Sequence, residues 1–167
     1  LLKYSQIIKD SNNKSNILVN QNEEDPVTIA DLKVNNQIIQ NITASYKNIN
    51  WEILSEENVK INPTNKRINK DFVWVLDPLD GTKDFIQGSG NYAMHLALNY
   101  KNKCYLGIVL IPDKDELWIT NYDTIWCENR KKEHKKPNLL LKNNLKDMTI
   151  VTSKNHRNQT LQKLIKK

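Results

Sequence analysis

The sequence predicts an α+β fold in which helices pack on a largely antiparallel sheet. Three observations carry this. One long amphipathic pattern stands early, near residues 28–46; a run of strand-like segments fills residues 72–121; and these strands are joined by short turns, with few of the strand–helix–strand units a parallel sheet requires. At 167 residues the chain can bury one sizeable core, and its length gives no reason for a second domain, so residues 1–167 read as a single α+β domain.

Ile17-Leu18-Val19 reads as a short strand leading into the acidic turn Asn22–Pro26. Thr28 is placed to cap a helix running to about Tyr46, whose Val34, Ile38 and Ile42 recur at helical spacing. Trp51-Glu52-Ile53-Leu54 alternates like a strand and delivers Ser55-Glu56-Glu57 at its end; Asn58–Lys70 reads as a polar loop. Phe72–Leu76 is apolar at every position, as in a strand covered on both faces, and is expected to stop at Asp77-Pro78. A short helical segment near Thr82–Ile86 precedes strands at Tyr92–Asn99, Cys104–Ile111 and Glu116–Asn121, with turns at Asn102 and Pro112–Asp115. Met148–Thr152 reads as a last strand before a Lys-rich helical end. His95 lies inside an apolar strand and reads as a core residue, as do Trp74 and Trp118.

Composition is globular but polar, with 38% hydrophobic residues and a mean hydropathy of -0.67. The abundance of Asn, Lys and Ile is what an A+T-rich genome produces and is background here. No apolar run approaches the roughly 18 residues of a membrane span. The net charge of +6 divides unevenly: residues 130–167 hold 12 Lys/Arg against Glu133 and Asp147, leaving residues 1–129 acidic. That acidic part suits cations. The basic stretch carries no aromatic residue on which a base could stack, so it reads as a solvated face and no nucleic-acid partner is expected. Cys104 and Cys127, without a CxxC pair, read as reduced thiols of a cytoplasmic protein. The chain opens on Leu1-Leu2 without Met and is expected to be part of a longer one.

The chemistry concentrates in Asp77-Pro78-Leu79-Asp80-Gly81-Thr82. Pro78 forces the chain to turn, so Asp77 and Asp80 can point at one spot, and two crowded carboxylates repel unless a cation lies between them. Gly81 leaves room for a ligand beside the backbone, and Thr82 opens a helical turn whose free N–H groups favour a phosphate. A hard divalent ion beside a phosphate pocket follows. Metals roughly 3.5–4 Å apart would activate a water and steady the leaving oxygen without any Ser or Cys nucleophile.

Trp74–Phe85 resembles the signature of the inositol monophosphatase superfamily of Mg2+-dependent phosphatases. Its Lys83-Asp84-Phe85 ending is similar to the 3'(2'),5'-bisphosphate nucleotidase (CysQ-type) branch. Asp25–Asp31, Leu54–Glu57, Leu106–Val109 and Val151–His156 resemble further family segments in the family's order. The resemblance implies the N-terminal part of a layered αβαβα sandwich. It implies that Glu56, Asp77, Asp80 and the Leu79 carbonyl bind Mg2+, and that Asp31 and Thr82 orient and deprotonate the attacking water. Gly81 and Thr82 would cradle the phosphate through backbone N–H groups, and Glu57 would lie near the second metal. His156 would match a substrate-contacting His, though in its basic surroundings it reads equally as an exposed surface residue.

Two departures stand out. Nothing after Asp123 resembles the family's later Trp-Asp-x-Ala-Ala-Gly segment, for whose Asp the Lys-flanked Asp147 is a poor substitute, and the family's Gly-rich hairpin near residues 124–135 is missing. The leading expectation is a phosphatase of sulfur assimilation that converts 3'-phosphoadenosine 5'-phosphate (PAP) to AMP. An inositol or sugar-phosphate monophosphatase is the alternative, and a non-catalytic metal- or nucleic-acid-binding remnant is the reading from another class. The partner expected is a small phosphate ester; oligomeric state is left open.

Overall fold

In the computed structural model, residues 1–11, 18–20, 26–61, 69–137, 144–149 and 163 are described. The chain divides into two compact units, Leu1–Pro137 and Asn138–Lys167. Within the second, the described residues include one 3-10 turn, Leu145–Asp147. The strand expected at Met148–Thr152 and the helical end after it fall outside the described residues, apart from Met148, Thr149 and Lys163.

The first unit opens with α1 (Tyr4–Asp10), β1 (Leu18–Asn20) and β2 (Val27–Thr28), the two strands pairing antiparallel. Helix α2 (Ile29–Ser45) starts where expected, and Thr28 and Asp31 form a capping box in which each side chain accepts the other residue's N–H. Val34, Ile38 and Ile42 are buried, each by about 1.5–3 kcal/mol of transfer free energy. Strand β3 (Trp51–Ser55) leads into α3 (Glu56–Ile61), so the segment read as a polar loop begins as a helix. Two glutamates in its first turn favour that start through the helix dipole.

Among the described residues, the main sheet has seven strands in sequential order, β3 to β9. Strand β4 (Phe72–Asp80) runs parallel to β3, and α3 lies in the connection between them; every later pair is antiparallel. After α4 (Thr82–Gln87) come β5 (Ala93–Tyr100), β6 (Lys103–Ile111), β7 (Glu116–Asn121), β8 (Thr124–Glu128) and β9 (His134–Lys135). Lys101 and Asn102 both take positive φ, the two-residue turn whose twist suits a tight hairpin. The hairpin near residues 124–135 is present without glycine. Asn129 Oδ1 accepts the N–H groups of Lys131 and Glu133 at 3.0 Å each, and Lys132 supplies the positive φ.

Helices α1 and α2 share one core with a single face of the sheet, through Tyr4, Ile8, Val34, Ile38, Trp74, Leu76, Met94, Leu96, Leu110 and Leu117. Alternation along each strand sends Asp77 and His95 to the other face. Among the described residues, no helix is long and apolar enough to cross a membrane.

Candidate active site

Strand β4 does not stop at Asp77. It continues through Pro78 to Asp80, pairing Asp77 with His95 and Asp80 with Ala93. Three residues on β4 therefore span two on β5, which is a bulge, and Pro78 sits where no ladder N–H is required. The bulge has a chemical consequence. In a regular strand, residues three apart face opposite sides; the extra residue returns Asp80 to the side of Asp77. The Leu79 N–H closes the kink on Asp77 Oδ1 at 3.1 Å.

Donor atoms of Asp77, Asp80 and His95 all lie within 4.8 Å of one another. Glu56, from the start of α3, hydrogen-bonds the Asp77 side chain. Burial, then the charge and hydrogen bond of Glu56, then the charge of Asp80 push the Asp77 carboxyl up to about 7, against the pull of the Leu79 N–H. A cluster of hard oxygens that repel one another and hold a proton is chemically suited to a divalent cation. A polar chain running from the interior to the surface steadies this corner: buried Ser55 Oγ donates to buried Asn35 Oδ1, and Asn35 Nδ2 donates to exposed Asn58 Oδ1 at 3.1 Å, tying α2 to β3 and α3.

Asp31 and Thr82 meet beside the cluster. Asp31 is 2% exposed, so it is no solvated surface residue. Its Oδ2 accepts from the N–H of Thr28 at 2.8 Å and from the Thr28 hydroxyl. Its Oδ1 faces the Thr82 hydroxyl at 3.4 Å, while the same hydroxyl reaches the Leu79 carbonyl at 3.0 Å. Thr82 owns one proton for two acceptors. Burial raises the Asp31 pKa, opposed by its hydrogen bonds from Thr28 and Thr82. Glu57 is buried at 4% exposure one residue beyond Glu56. A pocket of about 170 Å³ adjoins Asp80, with Tyr92 and Lys114 in its wall.

Gly81 owes its place first to the backbone. Its φ of +84° is left-handed, and a Cβ there would lie 2.9 Å from the Asn91 carbonyl oxygen. Gly81→Ala is therefore expected to cost about 1–3 kcal/mol of stability in urea denaturation, and an unchanged midpoint would refute this account. Lys83-Asp84-Phe85 likewise has local work: Asp84 Oδ1 accepts the Ser89 hydroxyl at 2.6 Å, and Phe85 is fully buried against Tyr92. His156 lies outside the described residues. His95 and Trp118 are the residues misread from sequence as core. Trp118 is only half-buried and aligns through Val109 with His95, on the face away from the helices. The case of His95 bears on the site: its side chain is 42% exposed and faces Asp80 at 3.8 Å rather than the core. Strand parity relative to the buried Met94 and Leu96 was the available signal, but using it required the β4–β5 register.

Residues 2–167 match the inositol monophosphatase family, and the chain belongs to that family. It is similar to the 3'(2'),5'-bisphosphate nucleotidase CysQ of Buchnera aphidicola, at 31% identity over 144 residues, 85% of this chain and 51% of that one. The CysQ of Haemophilus influenzae is 37% identical over 87 residues, 52% of this chain and 31% of the relative. The bifunctional phosphatase IMPL2 of Arabidopsis thaliana chloroplasts is 35% identical over 115 residues, 68% of this chain and 32% of the relative. The chain thus spans about half or less of these relatives' length. Among solved structures, the Thermotoga maritima IMPase shares the fold with a TM-score of 0.63 at 22% identity, over 78% of this chain and 48% of that one. A staphylococcal inositol monophosphatase aligns with a TM-score of 0.64 at 21% identity, over 75% and 46%.

Proposed function

We propose that residues 1–167 carry the metal-binding part of a Mg2+-dependent phosphomonoesterase that acts on a nucleoside bisphosphate such as PAP. The observation that carries the phosphatase reading is the convergence of Asp77, Asp80 and Glu56 beside the pair formed by buried Asp31 and half-buried Thr82. Glu56, Asp77, Asp80 and the Leu79 carbonyl are the groups that would hold Mg2+; its oxygen still has a free lone pair when Thr82 donates to the other. The bound metal would supply charge neutralisation for the phosphate oxygens and a water acidic enough to react at neutral pH.

The chain's own residues then have separate tasks. When Thr82 turns its proton to Asp31, its oxygen is free to accept from a water, and Asp31, buried and of raised pKa, can take the proton onward. The backbone N–H groups at Gly81 and Thr82 would receive a phosphate oxygen. Glu57 and His156 would contact metal-bound water and the substrate.

Similarity to the CysQ nucleotidases supports the bisphosphate substrate, and Lys114 beside the Asp80 pocket puts a cation where an anionic ligand would pass. Membership of the inositol monophosphatase family supports the alternative of an inositol or sugar phosphate. The test is a side-by-side assay of the whole natural protein with Mg2+ on PAP and inositol 1-phosphate, at low and moderate ionic strength. A much higher kcat/KM on PAP, narrowing as salt screens the attraction, is expected. A preference for inositol 1-phosphate would favour the alternative. Residues 1–167 alone, without the family's later Asp, are expected to turn over little of either.

A further inference from the structure

Among the described residues, His95 is the one imidazole set among these carboxylates, and neither the metal set nor the Asp31–Thr82 pair gives it a task. Its backbone stands directly opposite Asp77 in the β4–β5 ladder, so the two side chains leave the same face of the sheet. Its Nε2 lies 3.8 Å from Asp80 Oδ2, beyond hydrogen-bond range, and among the described residues neither ring nitrogen makes a hydrogen bond. An imidazole serving the core would be buried and bonded; this one is neither. Two donors that share one ion lie roughly 3 Å apart, because each sits about 2.0–2.2 Å from the metal. Asp77, Asp80 and His95 are within 4.8 Å of one another, a gap that small side-chain rotations close.

We propose that His95 is a metal ligand, adding one nitrogen to the Asp77–Asp80 oxygen set and shifting the site's preference from Mg2+ toward divalent transition ions that accept imidazole. The proposal rests on the metal site put forward above and adds a donor to it. Its chemical basis is simple. Mg2+ favours oxygen and water in a strict octahedron, whereas ions from Mn2+ to Zn2+ bind imidazole readily. One nitrogen therefore strengthens binding of the second group while giving Mg2+ little.

The test uses the 167-residue chain and Mn2+ as probe. Loss of the free-ion electron paramagnetic resonance signal measures binding, and pulsed experiments detect nitrogen coupled to the bound ion. The chain has three His, so a variant with His134→Asn and His156→Asn leaves His95 as the sole imidazole. Nitrogen coupling is expected in the wild type and in that variant, and is expected to vanish in His95→Asn and His95→Gln. Mn2+ affinity should weaken at least about tenfold in these two, with Mg2+ affinity, read by competition, changed far less. Mn2+ bound in an Asp77-dependent way without nitrogen coupling, or an unchanged Mn2+/Mg2+ ratio in His95→Asn, overturns the role of His95 and leaves the metal site standing. No Mn2+ bound at millimolar concentration overturns the metal site itself.

Discussion

Thr82→Ala in the whole natural protein is expected to lower kcat by about 10²–10⁴-fold, the usual reach of a positioned proton-transfer group, while Mg2+ affinity stays nearly unchanged. The reason lies in the arithmetic of one hydroxyl. Thr82 Oγ1 lies 3.0 Å from the Leu79 carbonyl and 3.4 Å from Asp31 Oδ1, and it can donate to only one of them. Donation to Asp31 frees oxygen lone pairs for a water, and alanine removes that relay without removing a carboxylate. Backbone damage would give a similar loss for a different reason, so Thr82→Ser separates the two. Serine keeps the hydroxyl and should recover most of the rate. Near-normal kcat in Thr82→Ala, or a serine variant as impaired as alanine, would remove Thr82 from the chemistry.

Much of this site was legible because the physics that shapes it is local. A Thr followed three residues later by Asp before an apolar pattern specifies a capped helix, and α2 begins there. The continuous apolar run 72–76 and the short turns after it specify strands in sequence, and the sheet keeps that order. What escaped depends on register. The bulge at Pro78 shows only when β4 is laid against β5, because an extra residue is defined by its partner strand. The same register moves His95 from an assumed core position to the face of Asp77. The glycine-free hairpin at 124–135 escaped for another reason: the Asn129 side chain and a left-handed Lys132 do work that sequence patterns assign to glycine. Helix α1 left too short a pattern, and its apolar Tyr4 and Ile8 find partners only once α2 and the sheet are present.

Asp77→Asn is expected to abolish the thermal stabilisation that Mg2+ gives, yet to leave the metal-free protein as stable as the wild type or more so. The carboxyl of Asp77 is pushed up to about 7, by burial first and then by Glu56 and Asp80. In the unfolded chain the same group titrates near its ordinary value of 3.8. Between about pH 4 and pH 7 the folded state therefore binds the proton that the unfolded state has released. Stability of the metal-free protein falls as pH rises through that window, and the full penalty is present above it. Asparagine carries no such proton and no charge, so the variant should gain most over the wild type at pH 8 and least at pH 4. Added Mg2+ reverses the order, because the ion rewards the ionised carboxylate that the empty fold penalises. Thermal melts of both proteins at the two pH values, with and without Mg2+, read all of this in one experiment. An Asp77→Asn chain that melts well below the metal-free wild type at pH 8 would mean that Asp77 is a structural residue; one that still gains stability from Mg2+ would move the metal elsewhere.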